Sequence, residues 1–135
     1  MQRITFGDRI LVVLHPTELV ALSAVSPPFA MMLRAPLECP STDQRRLIDA
    51  AAGSGCVEFC CIGPHSEMLH DYIDGILEDR ELFNVVTTWN TDEPLEDSLH
   101  YFVHLAGGRP PTIVAAIGDD ADHELLPCLE RTIGK

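Results

Sequence analysis

The eleven residues Cys56 to Ser66, CVEFCCIGPHS, constrain the fold more than any other stretch of this 135-residue chain. From Val57 to Ile62 every residue except Glu58 is apolar, Gly63-Pro64 breaks the run, and a helical pattern opens at His65 or Ser66. A short apolar run closed by breakers and followed at once by a helix marks a parallel strand covered on both faces. The theme repeats along the chain. Arg9 to Leu14 (RILVVL), Phe29 to Leu33 (FAMML), Phe83 to Thr88 (FNVVTT) and Thr112 to Ile117 (TIVAAI) are apolar or β-branched runs and are predicted as strands.

Helical patterns alternate with these runs. After His15-Pro16, Thr17 caps a short helix to about Ser23, which Pro27-Pro28 cannot extend. Ser41 or Thr42 opens a second, with Ser41 and Gln44 at capping-box spacing, Gly53 as its stop, and Leu47, Ile48, Ala51 and Ala52 as its apolar stripe. Ser66 to about Arg80 repeats apolar residues at helical spacing (Met68, Leu69, Tyr72, Ile73, Ile76, Leu77), with Ser66 expected as the cap. Another helix begins near Thr91, Asp92 and Pro94, ends at Gly107-Gly108 and buries Leu95, Leu99, Phe102, Val103 and Ala106. The last runs from Ala121 to about Ile133 and turns Leu125, Leu126, Cys128, Leu129 and Ile133 inward. Strands alternating with helices predict a three-layer α/β/α sandwich of about five mostly parallel strands, flavodoxin-like or Rossmann-like, as one domain over residues 1–135. The connection 15–28 suits either a crossover or an antiparallel first strand.

An apolar share of 46% is enough for a core. No run reaches the roughly 20 apolar residues of a membrane span, so no membrane is expected. MQRITFGDR has no apolar h-region, and a cytoplasmic location is the expectation. Five cysteines, three of them in one strand, read as buried reduced thiols. Strand alternation would place Cys56 and Cys60 on one face and Cys61 on the other, without a CxxC zinc knuckle.

Charge is unevenly spread. The net charge is −12; residues 1–66 carry six acids and five bases, and residues 67–135 carry fifteen acids and four bases. Nucleic-acid binding by phosphate neutralisation needs the opposite sign and is not expected. An acidic half can steer a basic protein partner, although solvated helix surfaces account for the same composition.

Ligands of open α/β sheets collect beyond the carboxyl ends of the strands. This order of elements places there His15, Arg34 and Glu38, His65 and Ser66, Trp89, Asn90 and Thr91, and Asp119 and Asp120. His15, His65 and Asp119 are the candidates for acid–base work, and Arg34, Trp89, Asn90 and Asp120 for ligand contact; loop and cap roles are the ordinary alternative. Specific motifs are missing. His-Pro stands where a GxGxxG cradle would follow the first strand, no GxxxxGK[ST] occurs, and Gly53-Ser54-Gly55 precedes a strand instead of forming a nucleophile elbow. A response-regulator receiver has similar architecture, but it needs paired acids after the first strand and a lysine after the fifth. Here those places hold His15 and Asp119-Asp120.

Glu96, His100 and His104 recur every four residues, a spacing that lets two histidines share a metal on one helix face. The HExxH glutamate is missing, a solvated helix flank explains the three equally well, and no metal or other cofactor is expected. The acids Asp119, Asp120, Asp122 and Glu124 suit a helix N-terminus. The chain therefore reads as a small acidic interaction module for a basic protein, of which an immunity or antitoxin-type inhibitor is the concrete form. The alternative is a small-molecule-binding or hydrolytic α/β domain with its site at the carboxyl ends of the strands. An exposed edge strand or apolar helix face would favour a homodimer.

Overall fold

The structure is a computed structural model that describes residues 1–35, 38–118 and 123–134. It is a three-layer α/β/α sandwich. Six strands, β1 (Gln2–Phe6), β2 (Arg9–Leu14), β3 (Phe29–Arg34), β4 (Cys56–Ile62), β5 (Val86–Asn90) and β6 (Thr112–Ala116), form one sheet in the order β1-β2-β6-β3-β4-β5. Only β1 runs antiparallel. Among the described residues four α-helices, α1 (Thr42–Ala52), α2 (Ser66–Asp79), α3 (Leu95–His104) and α4 (Leu125–Ile133), flank it.

The winding runs in both directions. From β3 the chain steps outward to β4 and β5 through α1 and α2; α3 then carries it back over the other face, and β6 inserts between β2 and β3. One core lies under α1, α2 and the 3₁₀ helix Leu19–Ala24, where Phe59, Cys61, Met31 and Leu33 meet Leu47, Ile48, Leu69 and Ile73. The second lies under α3 and α4, where Met32, Cys60, Ile62 and Ile113 meet Leu99, Phe102, Val103 and Leu129.

Several local expectations change. The sheet has a sixth strand, β1, a hairpin with β2 closed by Gly7-Asp8, with Gly7 at φ +58°. Its inward residues, Ile4 and Phe6, pack on the second core, and buried Arg9 donates from Nε to the Pro110 carbonyl (3.0 Å) and from Nη1 to the Val103 carbonyl. The fourth predicted strand starts three residues later, at Val86. Leu82 and Val85 instead pack on the first core, and Phe83 is 75% exposed. Pairing with Glu58 to Ile62 sets where β5 begins, and that register overrides the local preference of Phe83-Asn84-Val85.

Cys56 and Cys60 do not share a face. The β3–β4 register breaks between Phe29/Cys56 and Ala30/Glu58, so Val57 is an extra residue. A bulge of this kind inverts the alternation. Cys56 and Cys61 therefore face the first core, and Cys60 faces the second. Burial pushes all three thiols above the ordinary range. Among the described residues no helix is long and apolar enough to cross a membrane.

Candidate functional site

The same bulge sets up the most unusual polar group in the molecule. It turns Glu58, 4% exposed, toward α3 in an otherwise apolar strand. A carboxyl group there is costly unless donors surround it. Four do. Thr88 Oγ1 (2.9 Å), Tyr101 Oη (2.8 Å) and Cys60 Sγ (3.5 Å) donate to Oε2, and the Gly107 N–H donates to Oε1 (2.9 Å). The two acceptor oxygens of a carboxylate satisfy such a set. Glu58 thus ties β4 to β5, to α3 and to the turn after α3.

Gly107 adopts φ +61°, and a Cβ there would stand 2.8 Å from Val57 Cγ2, so the turn closes on the bulge only with glycine. Burial, and then the bond to Glu58, raise the Tyr101 phenol above its usual range and keep it a donor.

Tyr101 and Thr88 also form the floor of a cleft of about 660 Å³, a volume usual for ligand sites. Four consecutive β5 residues, Thr87 to Asn90, line it. On one side stands His70 of α2, whose ring centroid is 6.2 Å from that of Trp89. His70 Nδ1 lies 3.0 Å from Asp71 Oδ1, and Nε2 lies 3.3 Å from Asp74 Oδ2. On the other side are Glu93, Asp97, His100 and Leu105. Among the described residues no lysine or arginine lines the cleft.

The residues expected at the strand ends fall into separate places. His15 ends β2, where its Nδ1 contacts Thr17 Oγ1 at 2.7 Å. His65 occupies the N-cap position of α2, and its N–H donates to the Ala35 carbonyl (3.1 Å). β2 and β4 are separated by β6 and β3, three strand spacings or roughly 14 Å. The sheet therefore does not bring the two histidines together. Asp119 and Asp120 lie outside the described residues.

Arg34 and Asn90 do come together, in a smaller pocket of about 260 Å³ with Gly63, Pro64, Thr91 and Glu93. Trp89 lies in the larger cleft, which Asn90 shares. Ser66 does not cap α2. It is the first helical residue, fully buried, and its Oγ is 3.0 Å from Thr91 Oγ1, closing the gap between the β4 and β5 ends. Nor do Thr91 and Asp92 cap α3, where Pro94 holds the N-cap position without a side-chain bond.

Glu96, His100 and His104 border a third cleft, of about 390 Å³, which Arg131 shares. The two imidazole centroids are 4.7 Å apart. Burial, then electrostatic interaction with His100, Arg109 and Arg9, lowers the His104 pKa. Among the described residues no three His, Cys, Asp or Glu side chains are grouped to hold a metal ion.

Neither Glu58 nor Tyr101 is among the residues expected at the strand ends. A lone carboxylate in a central apolar strand was the available signal, because it demands partners. Tyr101 carried none, lying beside the apolar stripe of α3 like any flanking aromatic.

The fold and cleft define a doubly wound α/β sandwich with an acidic, aromatic groove at its outer strand. A protein-family model matches residues 10–130, from within β2 to within α4, and the chain belongs to that family, a domain of unknown function (DUF7684). No curated protein matches the chain at a significant level.

Proposed function

We propose that the chain is a non-catalytic interaction module that binds a basic protein partner through the cleft beside β5. One observation carries the reading: the cleft combines Glu93 and Asp97 with exposed Trp89 and, among the described residues, takes no lysine or arginine. Asp71 and Asp74, either side of His70, extend the negative charge to the facing helix. Carboxylates around an aromatic face suit lysine and arginine side chains through charge and cation–π attraction. An inhibitor that masks a basic surface is one concrete form of such a module.

The test is affinity capture with the wild-type chain, identification of the retained protein, and measurement of its affinity against salt. A basic partner should bind at low salt and be released by about 0.5 M salt, where exposed charges are screened within a few ångströms. The double variant Glu93→Gln/Asp97→Asn should weaken it at least about tenfold, and His15→Ala or His65→Ala should leave it unchanged. Binding that ignores salt and the cleft variant would overturn the proposal. A second reading, small-molecule binding at the strand ends, rests on the pocket that joins Arg34, Asn90 and Thr91. Its volume falls below the usual range of about 300–1,000 Å³ for such sites.

A further inference from the structure

Among the described residues the sheet ends at β5, and no further strand pairs with this edge. Successive strand side chains point to opposite faces, so a cleft touched by Thr87, Thr88, Trp89 and Asn90 together runs along the outer edge of the strand. Edge strands are ordinarily guarded by lysine, proline, a bulge or an inward charge. β5 reads VTTWN, has none of these, and pairs with β4 from Val86 to Asn90 without a register break. Apart from β4, no main-chain partner is found for it among the described residues. Val86 is 51% exposed and Trp89 40%, and Leu105, 59% exposed, continues the apolar surface into the cleft. Acids flank the edge on both sides, Asp71 and Asp74 on α2, Glu93 and Asp97 at α3.

Building on the reading above, we propose that β5 takes an extended basic segment of the partner as an added strand, its arginine or lysine side chains lying between the acidic walls and across Trp89. Main-chain hydrogen bonds to the open edge would supply affinity, and the walls would select charge. A second copy of this chain is the poorer occupant. Pairing β5 with β5 would bring Glu93 and Asp97 of two copies, each of net charge −12, toward one another.

Three synthetic eight-residue peptides test this by titration of Trp89 fluorescence at low salt: acetyl-(Arg-Val)₄-amide, the same peptide N-methylated at its four central residues so that both of its edges are blocked, and acetyl-(Glu-Val)₄-amide. Amide hydrogen exchange is followed in parallel. The Arg-Val peptide should bind and slow exchange in residues 86–90 but not in β1, the other edge. N-methylation should cost at least about tenfold, because two or more main-chain bonds are lost. The Glu-Val peptide should not bind. If the N-methylated peptide binds as well as its parent, edge pairing is wrong and the basic-partner reading survives. If the Arg-Val peptide fails to bind, both fall. A dimer in sedimentation whose 86–90 amides are already protected would give the edge to a second copy and overturn the proposal.

Discussion

Removing the Glu58 side chain tests whether the buried carboxylate is the tie that holds the cleft together. In Glu58→Ala the Gly107 N–H, which does not line the cleft, is left without its acceptor, at about 1–3 kcal/mol. The Tyr101 and Thr88 hydroxyls border the cleft and can turn to water, so each contributes about 0.5–1 kcal/mol. Part of this is recovered, since a buried carboxylate no longer has to be desolvated. The net loss should be about 2–4 kcal/mol, from a total of order 5–15 for a domain of this size. Glu58→Gln should cost less, about 1 kcal/mol, since its oxygen can face Gly107 while the Thr88 and Tyr101 hydroxyls accept from its NH₂.

Urea unfolding followed by circular dichroism measures both variants, and a cycle with Tyr101→Phe isolates the pair. Its coupling should be about 1–2 kcal/mol, within the range for contacting residues. Trp89, the only tryptophan, reports on the cleft in the same samples. A loss below about 1 kcal/mol for Glu58→Ala, or equal losses for alanine and glutamine, would refute the reasoning.

Two further outcomes follow from the same structure. The folded chain raises the thiols of Cys56, Cys60 and Cys61 and the phenol of Tyr101, so it holds these protons more tightly than the unfolded chain. That stability is fully present below the unfolded values and is lost as pH rises, from about 8.5 for the thiols and about 10 for the phenol. The urea midpoint should therefore fall between pH 8 and pH 10.5, and Tyr101→Phe should flatten the upper part of the fall; an unchanged midpoint would contradict the burial. Glycine substitutions should split in sign. Gly75→Ala, mid-helix with open space around its Cβ, should stabilise by about 0.5–1 kcal/mol in the same assay. Gly55→Ala, at φ +98° with its Cβ 2.5 Å from Pro27 Cβ, should destabilise by about 2 kcal/mol or more.

The sequence by itself determined what depends on near neighbours. The stripe Leu47, Ile48, Ala51 and Ala52 is the buried face of α1, and Ser41 Oγ accepts from the Gln44 N–H as its cap. In α2 the alternation survives with Leu69, Ile73 and Leu77 inside, while Met68 falls on the outer flank. Helical periodicity and capping act over three or four residues, so they are legible in any short window. The order of alternating strands and helices follows from the same local signals.

Only the tertiary structure decided what depends on pairing across the chain. The bulge at Val57, which moves Cys56 to the face opposite Cys60 and aims Glu58 at Tyr101, arises from register with β3. The start of β5 is set by β4, and the Ser66–Thr91 contact exists because α2 and α3 leave neighbouring strand ends on opposite faces. Strand order keeps His15 from His65 and leaves β5, with its acidic and aromatic borders, at the edge of the sheet. A strand's hydrogen-bonding partner can lie anywhere in the chain, so its identity is written in no local window.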